Sequence, residues 1–379
     1  MRKIVIRSIA AVASVAAMAS LAACGDNTSA STNNASGSTS SSAASDLSGE
    51  FQGKGASSQK TAVQTWTNNF QEANPDVKIG YDPSGSGAGV SAFLTGSAAW
   101  AGSDAALTND QVKQTSDKAC ASGTTAFDVP VYVSPIAVIF NLNGISGQDK
   151  HLNLDAATIA KIFDGKITKW NDPAIASQNS GVTLPDKTIT VVHRSDKSGT
   201  TKNFLDYVQK AGGKENWNYE VGENWPNEVG QAAKGTDGVV NTVKQADGTI
   251  GYADGSAVGT LGTVAVKVGD SYVAYNEEGA AAKTLDDSKL DESAQGENRV
   301  VVNINRTTTA SGAYPVILVS YMIACPSYQN DKGTGKFVKA WLTYVTSEEG
   351  QKAAAEDAGS SPISDTLRAK VTESINSIK

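Results

Sequence analysis

Arg194 to Thr201 reads RSDKSGTT, and no other stretch of this 379-residue chain gathers as many groups suited to an oxyanion. It follows the apolar residues Ile189, Val191 and Val192 and precedes Phe204, Leu205, Val208 and Ala211, which recur at helical spacing. The pattern predicts a strand running into a Ser/Gly/Thr turn that opens a helix. Such a turn offers unpaired backbone N–H groups, hydroxyl donors and the positive end of the helix dipole. Arg194 adds a planar fork of N–H donors. A capped strand-to-helix connection with a surface Arg–Asp pair has the same composition, so this segment alone does not choose between the two.

Two further segments have the same form. GKGASSQ (Gly53 to Gln59) precedes a helical pattern carried by Val63, Trp66, Phe70 and Ala73. VKIGYDPSGSGAGV (Val77 to Val90) reads as a short strand, a Gly/Ser turn and a second helical start at Val90, Phe93 and Leu94. Three small-hydroxyl turns that each begin a helix are able to converge on one anion. A nucleotide is not that anion. Gly85, Gly87 and Gly89 are spaced GxGxG instead of GxGxxG, and GTGKF at Gly333 lacks the upstream Gly and the Ser/Thr of a P-loop.

Asp104, in AGSDAAL, narrows the choice of ligand. A carboxylate beside an anion is repulsive unless the anion carries a proton, because an ionised Asp only accepts hydrogen bonds. Monohydrogen and dihydrogen phosphate have that proton; sulfate does not, and would leave a buried repulsion. The alternative for Asp104 is an ordinary turn or N-cap residue.

Catalytic and metal chemistry have little material. The chain has two histidines, His151 and His193. His193 stands beside Arg194, whose charge opposes an imidazolium, and no GxSxG elbow surrounds Ser195 or Ser198. His193 is therefore read as a structural strand-end residue. His151 has no second His or Cys near it for zinc. Trp66, Trp100, Trp170, Trp217, Trp225 and Trp341 are scattered, as core packing requires, instead of forming a stacking platform.

The N-terminus speaks to compartment. Arg2, Lys3 and Arg7 precede an apolar run, Ser8 to Ala23, that is short for a bilayer span and reads as a signal-peptide core. It ends in Leu21-Ala22-Ala23-Cys24-Gly25, which resembles a lipobox with Cys24 as the lipidated residue. Residues 1–23 are thus read as signal peptide. Residues 24–48, mostly Ser, Ala, Asn and Thr, form a tether too polar to fold. Roughly 330 residues remain, enough for two lobes. Charge is −7 for the whole chain, from 32 Lys+Arg against 39 Asp+Glu, and more negative once the leader is removed. That excludes nucleic acid as a partner and leaves local dipoles and hydrogen bonds to hold an anion. Cys120 and Cys325 are either a disulfide or two buried thiols.

Strand-like and helical runs alternate along the body, which defines an α/β class. Further strands are predicted at 129–142, 249–252, 263–268 and 315–324, and helices around 156–163, 229–243 and 337–345; 286–298 reads as a solvated loop. The apolar runs 129–142 and 315–324 are either two hinge crossings between lobes or two central strands of one sheet.

With these pieces in place the chain resembles the PstS family, the phosphate-binding lipoproteins of phosphate ABC importers. The motifs run in order: GKGASS, YDPSGSGAG, GSDAAL, IFDGKITKWNDPAI (Ile162 to Ile175), VVHRSDKSGTTKNFLDY and GTIGYAD. The resemblance implies a two-lobed periplasmic-binding-protein fold with two hinge crossings and a ligand cleft, with lobes at 49–139 plus 316–379 and at 140–315. It implies phosphate held by Ser57 (hydroxyl and N–H), Ser58 (N–H), Ser86, Asp104, Arg194, Ser198, Gly199 and Thr200, with Asp196 bracing Arg194. It further implies no cofactor, no enzymatic activity, an ABC permease with its ATPase as partners, a monomer, and attachment to the extracytoplasmic face of the cell membrane through the lipid on Cys24. Receptors for sulfate or molybdate, or a secreted phosphatase, are the rival readings. Two departures stand out: Ser57-Ser58 replaces the Thr-Phe common in the family, and Trp100 before Asp104 is placed to shape the cleft rim.

Overall fold

The computed structural model describes residues 47–276 and 279–379. The expected signal peptide, Cys24 and the tether up to Asp46 lie outside the described residues. In chain order, β1 (Gly49–Gly55) leads to α1 (Lys60–Ala73), β2 (Val77–Asp82) to α2 (Ser86–Leu94), and β3 (Trp100–Ser103) to α3 (Asn109–Gln114). The long β4 (Phe127–Asn141) is followed by β5 (His151–Leu154), α4 (Ala156–Phe163), α5 (Pro173–Ala176), β6 (Thr190–Arg194) and α6 (Gly199–Gly212). Next come β7 (Gln231–Ala233), α7 (Gly235–Gln245), β8 (Thr249–Asp254), β9 (Gly262–Val268), β10 (Ser271–Val273) and α8 (Ala280–Asp286). The chain closes with β11 (Lys289–Leu290), β12 (Val302–Asn303), β13 (Ile317–Ala324), α9 (Thr334–Thr346), α10 (Glu348–Ala358) and α11 (Asp365–Asn376).

Most of these strands form one curled sheet in the order β2-β1-β3-β13-β4-β8-β6-β7, with β9 branching from β4 and carrying β5 and β10. The fold is a two-lobed α/β architecture, and β4 joins its halves. From Phe127 to Pro135 it pairs with β13; from Ile136 to Asn141 it pairs with β8. All but its last residue is buried, which explains a hydrophobic run without alternation. The return crossing is made by the segment just before β13, not by β13 itself. There Ile136 donates its N–H to the Val316 carbonyl at 2.7 Å, and the Tyr314 hydroxyl donates to the Ile136 carbonyl at 2.9 Å. The first apolar run is thus both crossing and central strand, whereas the second is a central strand with the crossing at its edge.

Each half has its own aromatic packing. In the first, Phe51 stacks on Phe337 at 3.9 Å between ring centroids, and Phe70 meets Trp341 edge-on at 5.5 Å. In the second, Phe204 lies between Phe163 at 4.8 Å and Tyr252 at 4.4 Å. Cys120 and Cys325 form a disulfide that ties the segment before β4 to the end of β13.

Two sequence expectations shift. The apolar pattern from Val229 divides into an edge strand and a later helix, because Gly230 and Gly235 both take positive φ (99° and 69°), which interrupts a continuous helix. The stretch 286–298 is mostly loop, but Lys289 and Leu290 pair with Asn303 and Val302.

Asp254 ends β8 opposite Ile136, at the waist between the halves. Its Oδ1 accepts from the Tyr132 hydroxyl at 3.1 Å and from Ser256 N–H and Oγ at 3.0 and 2.6 Å; Oδ2 has no partner among the described residues. Burial pushes its carboxyl up to about 6, with the nearby Asp104 charge adding to the rise and the Ser256 hydrogen bonds opposing it. A folded value above the ordinary 3.8 favours the protonated form. Its stabilising contribution is full below about pH 4 and is lost as pH rises through about 6. Urea midpoints measured between pH 4 and 7 will fall more steeply for the native chain than for Asp254→Asn; identical slopes would remove Asp254 as the cause.

Candidate functional site

The three Ser/Gly/Thr turns sit where β1, β2 and β6 hand over to α1, α2 and α6, and they meet around Asp104. The first N–H groups of each helix have no carbonyl partner within that helix. Two glycines permit the approach. A side chain on Gly199 would meet the Asp104 backbone at 2.7 Å, and one on Gly85, whose φ is +106°, would strike the Asp196 carboxylate. The turn that opens α6 therefore lies directly against the segment after β3, and the turn that opens α2 against the Asp196 loop.

Asp104 is 2% exposed, and among the described residues no Lys or Arg pairs with it. Its charge is met by hydroxyls. Oδ1 accepts from Ser58 Oγ at 2.7 Å and Ser320 Oγ at 2.5 Å; Oδ2 accepts from Ser58 Oγ at 2.8 Å and Thr200 Oγ1 at 2.7 Å. Its N–H donates to Ser86 Oγ at 3.2 Å, and its carbonyl accepts from Asn203 Nδ2 at 2.6 Å. Donors thus reach one residue from both halves of the molecule.

Arg194, at the end of β6, is 3% exposed. It donates from Nε to Asp196 Oδ1 at 2.8 Å and from Nη2 to Oδ2 at 2.5 Å. Nη1 is not part of that pair. Asp196 Oδ1 also accepts the Gly235 N–H at 2.9 Å, which fastens this ion pair to the start of α7. Burial works against the Asp196 charge, but the hydrogen bonds and charge of Arg194 outweigh it and hold the carboxyl below its ordinary value.

Ser58, Ser86, Asp104, Gly199 and Thr200 are brought together around one carboxylate. Ser57 lies beside them with its hydroxyl turned to Thr236, whose N–H and Oγ1 are 3.1 and 3.0 Å away. Ser58 differs from the sequence reading, which gave it only a backbone role: its hydroxyl is the one on Asp104. Ser198 caps α6 by accepting from Thr201 N–H at 3.2 Å, and its own N–H goes to the Glu223 carbonyl. Trp100 does not stand at a rim. It is fully buried and stacks on Tyr81 at 5.1 Å, and Tyr81 in turn donates to the Ala56 carbonyl just before Ser57. The large ring belongs to the floor beneath the first turn because Gly53 leaves space for it.

Sequence reasoning missed Ser320, Asn203 and Thr236. Ser320 sits in an otherwise apolar and aromatic strand, where the one serine was the available signal. Asn203 lies one helical turn after Gly199 on the buried face of α6, and Thr236 follows the Gly that opens α7. His193 stacks on Trp225 at 4.8 Å, and its Nδ1 lies 3.0 Å from the Arg194 carbonyl. Among the described residues it makes no hydrogen bond to Ser195 or Ser198, so they do not assemble a nucleophile and base.

Two halves exchanged along one long strand, with opposing helix starts between them, define the two-lobed fold of a binding protein. Residues 32–349 match the PBP superfamily domain. Phosphate-binding protein PstS 3 of Mycobacterium leprae is 34% identical over 329 residues, covering 86% of this chain and 85% of that protein. Phosphate-binding protein PstS 2 of Mycobacterium tuberculosis is 35% identical, covering 87% of each. Among solved structures, the phosphate-binding protein from Stenotrophomonas maltophilia aligns with a TM-score of 0.64 at 19% identity, covering 86% of this chain and 93% of that one; this likeness shows the fold. The chain belongs to the PBP superfamily and, within it, to the PstS family.

Removing donors from Asp104 leaves a buried charge underserved. Ser58→Ala and Thr200→Val are each expected to destabilise the chain by about 1–3 kcal/mol in urea unfolding. No change in either variant would mean the carboxylate is solvated by other means.

Proposed function

We propose that this protein is an extracytoplasmic receptor that captures inorganic phosphate between its lobes and delivers it to an ABC permease driven by its ATPase. The observation that carries the reading is Asp104: a buried carboxylate among hydroxyl donors, at the meeting of three helix starts and near a braced Arg. A phosphate seated there would donate its proton to Asp104 and accept from the surrounding N–H and O–H groups. Ser57, Ser58, Ser86, Gly199 and Thr200 are the proposed donors of the helix starts, with Ser198 as cap and hydroxyl donor. Arg194 would present Nη1, held in place by Asp196.

Family membership supports the transport role, since the relatives are named phosphate-binding proteins. Charged hydrogen bonds contribute about 1.5–3 kcal/mol each, and a micromolar site needs about 8 kcal/mol net. Several such bonds offset phosphate desolvation and lobe closure with no bond-breaking chemistry. The site is a binding site.

We place the lobe boundaries at 49–139 plus 316–379 and at 140–315; the exchange of β4's partner between Pro135 and Ile136 supports a division close to this. The protein works as a monomer and is held at the membrane by the lipid on Cys24. The small residues before that Cys and the polar tether after it support the anchor, and no helix among the described residues is long and apolar enough to cross a membrane. Fractionation tests the anchor: Cys24→Ser should move the protein from the membrane fraction to the medium, and unchanged partition would rule it out.

Calorimetry should register one phosphate per chain and sulfate at least about 100-fold weaker, as expected when a hydrogen bond is exchanged for a buried lone-pair repulsion. Asp104→Asn will narrow that gap, and Arg194→Lys will weaken phosphate by about tenfold or more through loss of the planar fork. Equal affinity for both anions would overturn the reading.

A further inference from the structure

Hydroxyls both donate and accept, so a ring of them does not by itself dictate what Asp104 must be. A protonated carboxyl could be satisfied there too, by donating to one of its neighbours. The direction is decided one residue further out. Gln59, fully buried at the start of α1, places Nε2 3.1 Å from the Tyr321 carbonyl and 2.5 Å from Ser320 Oγ. A carbonyl only accepts, so the Gln59 atom facing it is the amide nitrogen and not its oxygen. That nitrogen therefore donates to Ser320 as well. Ser320, equally buried, has one proton, and it is left for Asp104 Oδ1 at 2.5 Å.

The chain from Gln59 through Ser320 to Asp104 thus has a single sense. It also carries a penalty: Gln59 Oε1 is buried with no hydrogen-bond partner. Neither residue is among the helix-start donors assigned to the anion. Ser320 stands where β13 shifts register against β4, between Ser320 and Tyr321. A bulge at this point re-aims side chains relative to a regular strand.

We propose that Ser320 and Gln59 are positioning residues that set anion selectivity. By fixing Asp104 Oδ1 as an acceptor they bias the site toward oxyanions that bring a proton. The proposal rests on the phosphate reading above and adds to it which residues enforce the discrimination. In Ser320→Ala the ordered donor is lost, Asp104 is no longer held in one hydrogen-bonding sense, and the penalty against sulfate shrinks.

The test is a calorimetric titration of the full mature protein with phosphate, arsenate and sulfate at one pH. Phosphate and arsenate both carry protons; sulfate does not. Ser320→Ala is expected to lower the phosphate-to-sulfate affinity ratio about tenfold, the worth of one charged hydrogen bond, with arsenate following phosphate. Ser320→Thr, which restores a hydroxyl, should recover the ratio. Gln59→Leu releases the Ser320 proton without removing the hydroxyl; it should lower the ratio by about threefold. If Ser320→Ala does not fold, Gln59→Leu decides by the same ratio. A ratio unchanged in the folded variants, or all three anions weakened alike, overturns the proposal. Failure of the unmodified protein to bind phosphate would instead overturn the parent reading.

Discussion

A buried carboxylate with no cation against it among the described residues must be solvated by dipoles, and the surrounding helix starts and strands do that for Asp104. Leaving such a charge unpaired inside a protein is strongly destabilising. Here Ser58 and Ser320 on one side and Thr200 on the other supply the hydrogen bonds. Because Thr200 opens α6 and Ser58 precedes α1, satisfying one side chain draws two halves of the molecule together. The same requirement explains Gly199, where a side chain would strike the Asp104 backbone. Asn203 strengthens the junction through the Asp104 carbonyl and is itself held by Arg306, which donates to its Oδ1.

Charge elsewhere in the cleft is handled differently. Arg194 is matched by Asp196 through two parallel bonds, and Asp196 is tied to the start of α7 through Gly235. The pair is close to neutral, so it presents donors without a large uncompensated positive charge. With an overall charge of −7, long-range attraction does not favour an anion. A bidentate pair also restricts the guanidinium to one plane, which a lysine does not offer.

The helix starts were legible in the sequence because their signals are local. Ser198 caps α6, and the apolar spacing of Phe204, Leu205 and Val208 sets its buried face. Asp104 was legible for a different reason: an ionisable residue among small ones has few bland explanations. Ser320 was hidden because a single serine in ILVSYMIA carries no periodic signal, and its partner Gln59 lies 261 residues away. Trp100 was misplaced at the cleft rim because residue type does not say on which side of a strand a ring will lie; Tyr81 and the space left by Gly53 decide that. The strand and helix after Val229 were merged because apolar spacing ignores the positive φ of Gly230 and Gly235.

By itself, then, the sequence determined the α/β class, the three Ser/Gly/Thr turns that open helices and the candidate carboxylate, all of which follow from residue type and short-range spacing. It left open whether the two long apolar runs cross between lobes or lie in one sheet, and whether Cys120 and Cys325 join. Tertiary structure decided both: β4 crosses while remaining central to the sheet, and the two cysteines are bonded. It also decided the sense of the hydrogen bonds at Asp104. Donor and acceptor roles of hydroxyls depend on neighbours hundreds of residues apart, and only the fold brings Gln59, Ser320 and Thr200 to the same carboxylate.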